Sequence, residues 1–241
     1  MIGFIADLHL QQGEPETLEQ AVAFLDWANG RCTQLYILGD LFEYWLGDDC
    51  PLPGLEAFDS ALLALSKSGC DVVLMHGNRD FLLGEAYAER TQSRLVRADT
   101  LALTLGSKQA VLLHGDTLCT DDTSYQQARL VLRTSEWQSQ FTALSFEERK
   151  QQALALRRQS QNDSADKSET IMDVSAQAVQ QLIDISNADL MIHGHTHRPN
   201  WHTDASVDRI VLGDWSPQGG KVAIFENDKL SLSQWPNELN R

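Results

Sequence analysis

Asp7 and His9 stand one residue apart, directly after an apolar run at residues 2–6. The arrangement recurs along the chain. Gly39-Asp40 follows Leu35-Tyr36-Ile37-Leu38, and Gly77-Asn78-Arg79-Asp80 follows Val72-Val73-Leu74-Met75-His76. His114-Gly115-Asp116 closes the run at residues 109–113, and His193-Gly194-His195-Thr196-His197 closes Ala188-Asp189-Leu190-Met191-Ile192. Carboxylates, imidazoles and an amide oxygen form a hard-to-borderline ligand set, suited to divalent Mn, Fe or Zn rather than to a thiolate site. Two such ions ~3.5–4 Å apart clamp a phosphoryl group, and they lower the pKa of bound water enough to make it the nucleophile near neutral pH.

Something must bring these residues together. Short runs rich in Val, Ile and Leu read as buried strands, and open α/β sheets place ligands beyond the carboxyl ends of their strands. The polar clusters are therefore expected to meet at one edge of one core. Residues two apart on an extended segment share a face, so Asp7 and His9 are expected to hold one ion. His195 and His197 share a face by the same rule, each able to serve a different ion. Asp40 has two oxygens with which to bridge. Asn78 offers a carbonyl oxygen, and His114 and His195 offer ring nitrogens. Leu18, Val22, Leu25 and Trp27, and later Leu55, Phe58, Leu62 and Leu65, recur at helical spacing in residues 14–28 and 54–66. Strands alternating with such helices predict a layered α/β fold with helices on both faces. Residues 122–161 carry no strand pattern and predict an insert of two or three helices with a turn near Leu144-Ser145. Residues 162–168 read as a polar loop and 174–185 as a further helix. The tail reads as short strands with turns at Gly219-Gly220 and Asn227-Asp228.

The 241 residues suffice for one large domain, and the formal net charge of −15 disfavours a phosphate backbone, which excludes nucleic acid as the expected partner. Cys32, Cys50, Cys70 and Cys119 form no CxxC pair, and the chain enters a strand at Ile2 with no charged leader. No apolar run approaches the ~18–20 residues that cross a bilayer. A reduced cytoplasmic compartment is the expectation. The insert is locally basic, with Arg129, Arg133, Arg149, Lys150, Arg157 and Arg158 against Glu136, Glu147 and Glu148. Such an island suits an anionic substrate or a membrane surface as well as a solvated helix face. His76 and His193 read as core or supporting histidines, and His202 as an ordinary strand residue. Trp45 and Asp48-Asp49 are expected near the site mouth.

Taken together, Asp-x-His, Gly-Asp, Gly-Asn, His and Gly-His-x-His over residues 3–197 resemble the calcineurin-like metallophosphoesterases. The resemblance implies a β-sandwich flanked by helices, in one domain of residues 1–241 with a helical cap inserted at about 122–168. It assigns Asp7, His9, Asp40 and His197 to one ion and Asp40, Asn78, His114 and His195 to the other. Asp40 bridges the two, and the ions are Mn2+. Arg79 departs from the family, which usually has histidine there to protonate an alkoxide leaving group. Arginine cannot give up its proton, but it stabilises charge on a transferring phosphate. Arg79 is thus expected to act by charge stabilisation on a pyrophosphate, whose leaving group needs no proton.

Residues 36–43, 77–82, 114–122 and 193–199, with Ile171-Met172-Asp173-Val174, narrow the likeness to a branch acting on a UDP-linked diacyl glycolipid in lipid A synthesis. The implied reaction releases UMP and a diacyl sugar 1-phosphate on the cytoplasmic face of the inner membrane, with the protein peripheral to it. Substrate contacts carried over are Asn78, Arg79, Asp122, Ser160, Ser164, Lys167 and His195; the branch often has Asn where this chain has Ser164. Two acyl chains need a concave apolar wall, for which the insert offers Tyr125, Leu130, Leu132, Trp137, Phe141, Leu144, Phe146, Leu154 and Leu156. Arg157 and Lys167 are expected at the diphosphate. A soluble nucleotide substrate, or a non-catalytic scaffold on the same fold, are the competing readings.

Overall fold

Three strand–helix repeats open the chain: β1 (Ile2–Ile5), α1 (Pro15–Ala28), β2 (Gln34–Ile37), α2 (Glu56–Lys67), β3 (Asp71–Met75) and α3 (Glu85–Thr91). β4 (Arg94–Val96) then joins the parallel run, and a hairpin of β5 (Thr100–Leu105) and β6 (Lys108–Leu113) follows. Three helices come next, α4 (Thr123–Leu132), α5 (Ser135–Thr142) and α6 (Phe146–Ala165), and then α7 (Ala176–Ser186). The chain ends in β7 (Leu190–His193), β8 (Asn200–His202), β9 (Asp208–Val211), β10 (Lys221–Glu226) and β11 (Lys229–Gln234). This computed structural model describes residues 1–165, 171–203 and 207–239, with side chains of 161–165 outside the description.

Two sheets result. One has the order β11-β10-β1-β2-β3-β4 and the other β5-β6-β7-β9-β8. Strand alternation sorts the side chains into layers. Phe4, Tyr36, Val73, Ala110, Leu112, Leu190 and Ile192 fill the space between the sheets. Ile5, Leu35, Ile37, Val72 and Leu74 face the other way, onto Phe24 and Leu25 of α1 and Phe58, Leu62 and Leu65 of α2. Val111, Leu113 and Met191 pack on Ile183 and Val179 of α7. Both faces of β1–β3 are buried, which is why their sequences are continuous apolar runs rather than alternating ones. The layering is the expected sandwich flanked by helices. β10 and β11 are joined by Asn227 and Asp228, both left-handed at φ 52° and 58°, a two-residue hairpin turn.

The insert begins with side-chain caps: Asp122 accepts from the Tyr125 amide at α4, and Thr134 from the Trp137 amide at α5. α6 corrects the first part of the expected polar loop, residues 162–165, since helix continues through Ala165. No Gly or Pro interrupts that stretch, and an established helix adds each further residue cheaply. Residues 166–170, including Lys167, lie outside the described part.

Four of the six cations of the insert's basic island are engaged within the fold. Arg149 is only 4% exposed, with its guanidinium on Asp49 at 2.7 and 2.8 Å and on the Leu46 carbonyl at 2.9 Å. Arg129 donates to Asp116 at 2.9 Å, Arg133 to the Gly77 carbonyl at 2.9 Å, and Arg157 pairs with Glu43. These four arginines fasten the insert to the sandwich. Among the described residues no helix is long and apolar enough to cross a membrane.

Candidate metal centre

The expected ligands converge, but not by strand alternation. β1 ends at Ile5, and Asp7 and His9 lie beyond it in left-handed conformation, φ 56° and 48°. Asp40, His195 and His197 do the same at φ 52°, 69° and 52°. Each such residue costs roughly 1–3 kcal/mol and persists only where its surroundings enforce it. Here the enforcement is backbone pairing between strand exits. Asp7 N donates to Gly39 O at 3.1 Å, His9 N to Asp40 O at 3.0 Å, and Leu10 N to Leu41 O at 3.0 Å. Asp80 is fully buried and joins the next exit: its Oδ1 accepts from Gly77 N at 2.8 Å and its Oδ2 from Leu41 N at 2.7 Å. Two motif glycines are required by close approach. A Cβ on Gly77 would lie 2.0 Å from Asp40 Oδ1, and one on Gly194 would lie 2.2 Å from Asp7 Oδ2.

Backbone amides also decide which oxygens are free. Arg79 N occupies Asp40 Oδ1 at 2.8 Å, leaving Oδ2 3.8 Å from His9 Nε2 and 3.6 Å from His114 Nε2. His195 N occupies Asp7 Oδ2 at 2.9 Å, leaving Oδ1 buried without a hydrogen-bond partner. That oxygen lies 3.9 Å from His9 Nε2 and 3.5 Å from His197 Nε2. Asn78 Oδ1 stands 2.9 Å from both His114 Nε2 and His195 Nδ1. Donor atoms of Asp7, His9 and His197, and of Asp7, Asp40 and His114, come close enough to share an ion in each group. An orphaned carboxylate oxygen among inward-facing imidazole nitrogens fits a divalent cation. His114 Nδ1 is held by the Leu38 carbonyl at 2.9 Å and His9 Nδ1 by Glu43 at 2.9 Å, which turns both Nε2 atoms inward.

The electrostatics agree. Burial raises the Asp7 carboxyl, yet the His197 ring facing Oδ1 at 3.5 Å and the nearby charges of His114 and His9 outweigh it and hold that group well below the usual range. Burial, with the His114 charge, lowers His195 to about 4, so its ring is neutral and its lone pair available. His193 lies outside the cluster: burial lowers it to about 3, and its nitrogens meet the Gly194 carbonyl and Arg209. His76 is held by the Leu83 carbonyl at 2.7 Å, and His202 lies in β8. Asp116 is a strut for Tyr125 and Arg129.

A cleft of about 440 Å³ opens from the cluster under the insert. Asn78, Arg79, Asp122, Ser160 and His195 line it, five of the seven expected substrate contacts. Ser164 and Lys167 lie outside the described side chains. Tyr125, Leu132, Trp137, Phe141 and Leu156 supply an apolar wall; Trp137 and Phe141 stack at 4.9 Å. The remainder of the expected wall turns elsewhere. Leu130 and Leu154 are 72% and 37% exposed, while Leu144 and Phe146 pack on the main core. Trp45 does line the cleft, but Asp48 binds the Gly84 and Tyr87 amides and Asp49 binds Arg149. The sequence reading assigned no part to Glu43, although it stands three residues after Asp40 in a motif already singled out. Asp80 was likewise visible only as a possible ligand.

The sequence model described as calcineurin-like phosphoesterase matches residues 1–199. Proteins named UDP-2,3-diacylglucosamine hydrolase from Cellvibrio japonicus and Aeromonas hydrophila are each 43% identical to this chain. The first alignment covers 90% of this chain and 91% of the relative, the second 96% and 97%. An archaeal phosphodiesterase of solved structure superposes with a TM-score of 0.51 at 11% identity, covering 97% of this chain and 98% of the other, a likeness of fold.

Proposed function

From the premise that this chain belongs to the calcineurin-like phosphoesterase family, we propose that it hydrolyses the pyrophosphate bond of UDP-2,3-diacylglucosamine to UMP and 2,3-diacylglucosamine 1-phosphate in lipid A biosynthesis. The observation that carries the proposal is the cleft, polar at Asn78, Arg79 and His195 and apolar at Leu132, Trp137, Phe141 and Leu156. A diphosphate with one diacyl end needs both surfaces in one site. We read the chain as one domain, with α4–α6 as a cap over the strand exits.

Asp7, His9, Asp40 and His197 would hold one ion, and Asp40, Asn78, His114 and His195 the other, with Asp40 serving both. Two divalent ions, which we take to be Mn2+, supply there a positive charge for phosphoryl oxygens and acidify water. Arg79 adds fixed positive charge. Its Nε is buried without a hydrogen-bond partner and so is free to face a phosphoryl oxygen. Asn78 and His195 orient the diphosphate, Asp122 and Ser160 meet the polar parts of the substrate, and the apolar wall takes acyl chain. Ser164 and Lys167 remain proposed contacts. We place the protein on the cytoplasmic face of the inner membrane, touching lipid through Leu130 and the 57%-exposed Val131 of α4 rather than through the engaged arginines.

A panel of detergent-dispersed diacyl nucleotide lipids and soluble nucleotide diphosphates tests the assignment. Mn2+-dependent release of UMP from the lipid, well above turnover of the soluble compounds, is expected. Equal turnover of both classes would remove the lipid from the proposal.

A further inference from the structure

Glu43 touches the metal cluster and the insert at once. Its Oε2 lies 2.9 Å from His9 Nδ1, and its Oε1 pairs with Arg157 Nε on α6. The residue is 9% exposed and its backbone is fixed, because Glu43 N donates to Leu10 O at 3.1 Å while Leu10 pairs with Leu41 and Phe42. Its carboxylate therefore has little freedom beyond these two partners. We propose that Glu43 is a positioning residue that couples the metal ligand His9 to α6, so that metal binding and docking of the cap helix favour each other. The coupling rests on the metal-centre assignment.

The argument has two halves. A carboxylate on the far ring nitrogen of a ligating histidine fixes tautomer and ring orientation, and loss of such a partner typically costs about 10- to 100-fold in metal affinity. Here Glu43 leaves His9 Nε2 facing Asp7 Oδ1 at 3.9 Å and Asp40 Oδ2 at 3.8 Å. The second half is the anchoring of α6. Arg149 fastens its first turns to Asp49, which is not one of the candidate ligands. Arg157 fastens it again about 12 Å further along the axis, and that anchor is Glu43 itself. A helix held at Glu43 restrains the carboxylate for His9, and an ion on His9 restrains the carboxylate for the helix. Coupling of this kind is reciprocal.

Charge alone predicts the opposite sign for Arg157. A guanidinium near a divalent site repels the ion, so its removal should tighten metal binding; the coupling predicts that removal weakens it. Mn2+ titration calorimetry on the whole protein, with Arg157→Gln, Glu43→Gln and the double variant, separates the two. Expected are a loss of about 10- to 100-fold for Glu43→Gln and about 5-fold or more for Arg157→Gln, with no further loss when Arg157→Gln is added to Glu43→Gln. Hydrogen exchange gives a second readout: Mn2+ should slow exchange across residues 146–160 in the parent and leave it unchanged in Glu43→Gln. Arg149→Gln should speed α6 exchange yet keep the parent affinity. Unchanged or tighter Mn2+ binding by Arg157→Gln, or equal effects of that change in both backgrounds, overturns the coupling and leaves the metal centre standing. No Mn2+ binding by the parent overturns both.

Discussion

Asp40 presents its two oxygens to different tasks. Oδ1 is engaged by the Arg79 amide, and Oδ2 faces both His9 and His114. Asp40→Ala therefore removes an oxygen that faces His9 of one proposed ion site and His114 of the other. Metal content of the purified variant should fall from two ions to fewer than one tightly bound, and turnover by on the order of 10³-fold or more. Retention of two tightly bound ions would defeat the bridging role. Arg79 makes a separate prediction. An alkoxide departs with help from an acid, whereas a phosphate monoester, with its second pKa at ~6, does not need one. With arginine and no proton donor there, pyrophosphates should be cleaved far faster than alkyl phosphodiesters of similar size. Arg79→His should lose activity on the diphosphate, because histidine is partly charged near neutral pH and lacks the bidentate fork. Full diphosphate activity in that variant, or equal kcat/KM on the two substrates, would refute the role.

Among elements, the insert divides its side chains between holding itself down and shaping the cleft. Arg149 and Phe141 are buried supports, so their loss confuses stability with specificity. Leu132 of α4 and Leu156 of α6 are half-buried at the cleft wall and separate the two. Leu132→Asn or Leu156→Asn should raise KM for the diacyl lipid by about 10-fold or more with Mn2+ content unchanged. Leu154→Asn, on the exposed side of α6, should leave KM alone. Equal effects at Leu154 and Leu156 would show that the cleft wall does not receive acyl chain. The strand exits make the contrasting case. Asp80 zips two of them together, and the left-handed backbone of Asp7, His9 and Asp40 is the cost of turning three side chains toward one point.

In the whole molecule, candidate ligands come from both sheets: Asp7, Asp40 and Asn78 follow strands of one, and His114 and His195 follow strands of the other. Ions held there tie the sandwich together at one end. Metal at 100 times its dissociation constant stabilises the folded state by about 2.7 kcal/mol for one site, or about 5–10 °C in Tm at this size. Calorimetry with Mn2+ and after chelation should show that difference; identical melting would show that the ions contribute no bridge. The net charge of −15 acts on membrane contact. With Arg129, Arg133, Arg149 and Arg157 engaged inside, vesicle binding should survive moderate salt and be lost in Leu130→Asp/Val131→Asp. Binding abolished by salt alone would return the contact to electrostatics.

Residue type and spacing alone determined the strands that carry the candidate ligands, the helices α1, α2 and α7, the helical character of the insert and the clustering of the candidate ligands. Each of those signals is local: an apolar run, a helical period, or a ligand one to four residues past a strand end. The pairing of the strands into two sheets, and so the meeting of Asn78 with His114 and His195, was decided by packing between distant segments. Tertiary structure also set the left-handed turns at Asp7 and His9, because hydrogen bonds to residues 39–41 enforce a conformation that local preference opposes. It turned the insert's arginines inward as well, since a cation's partner is chosen by proximity in space, and Glu43 meets Arg157 across 114 positions of chain.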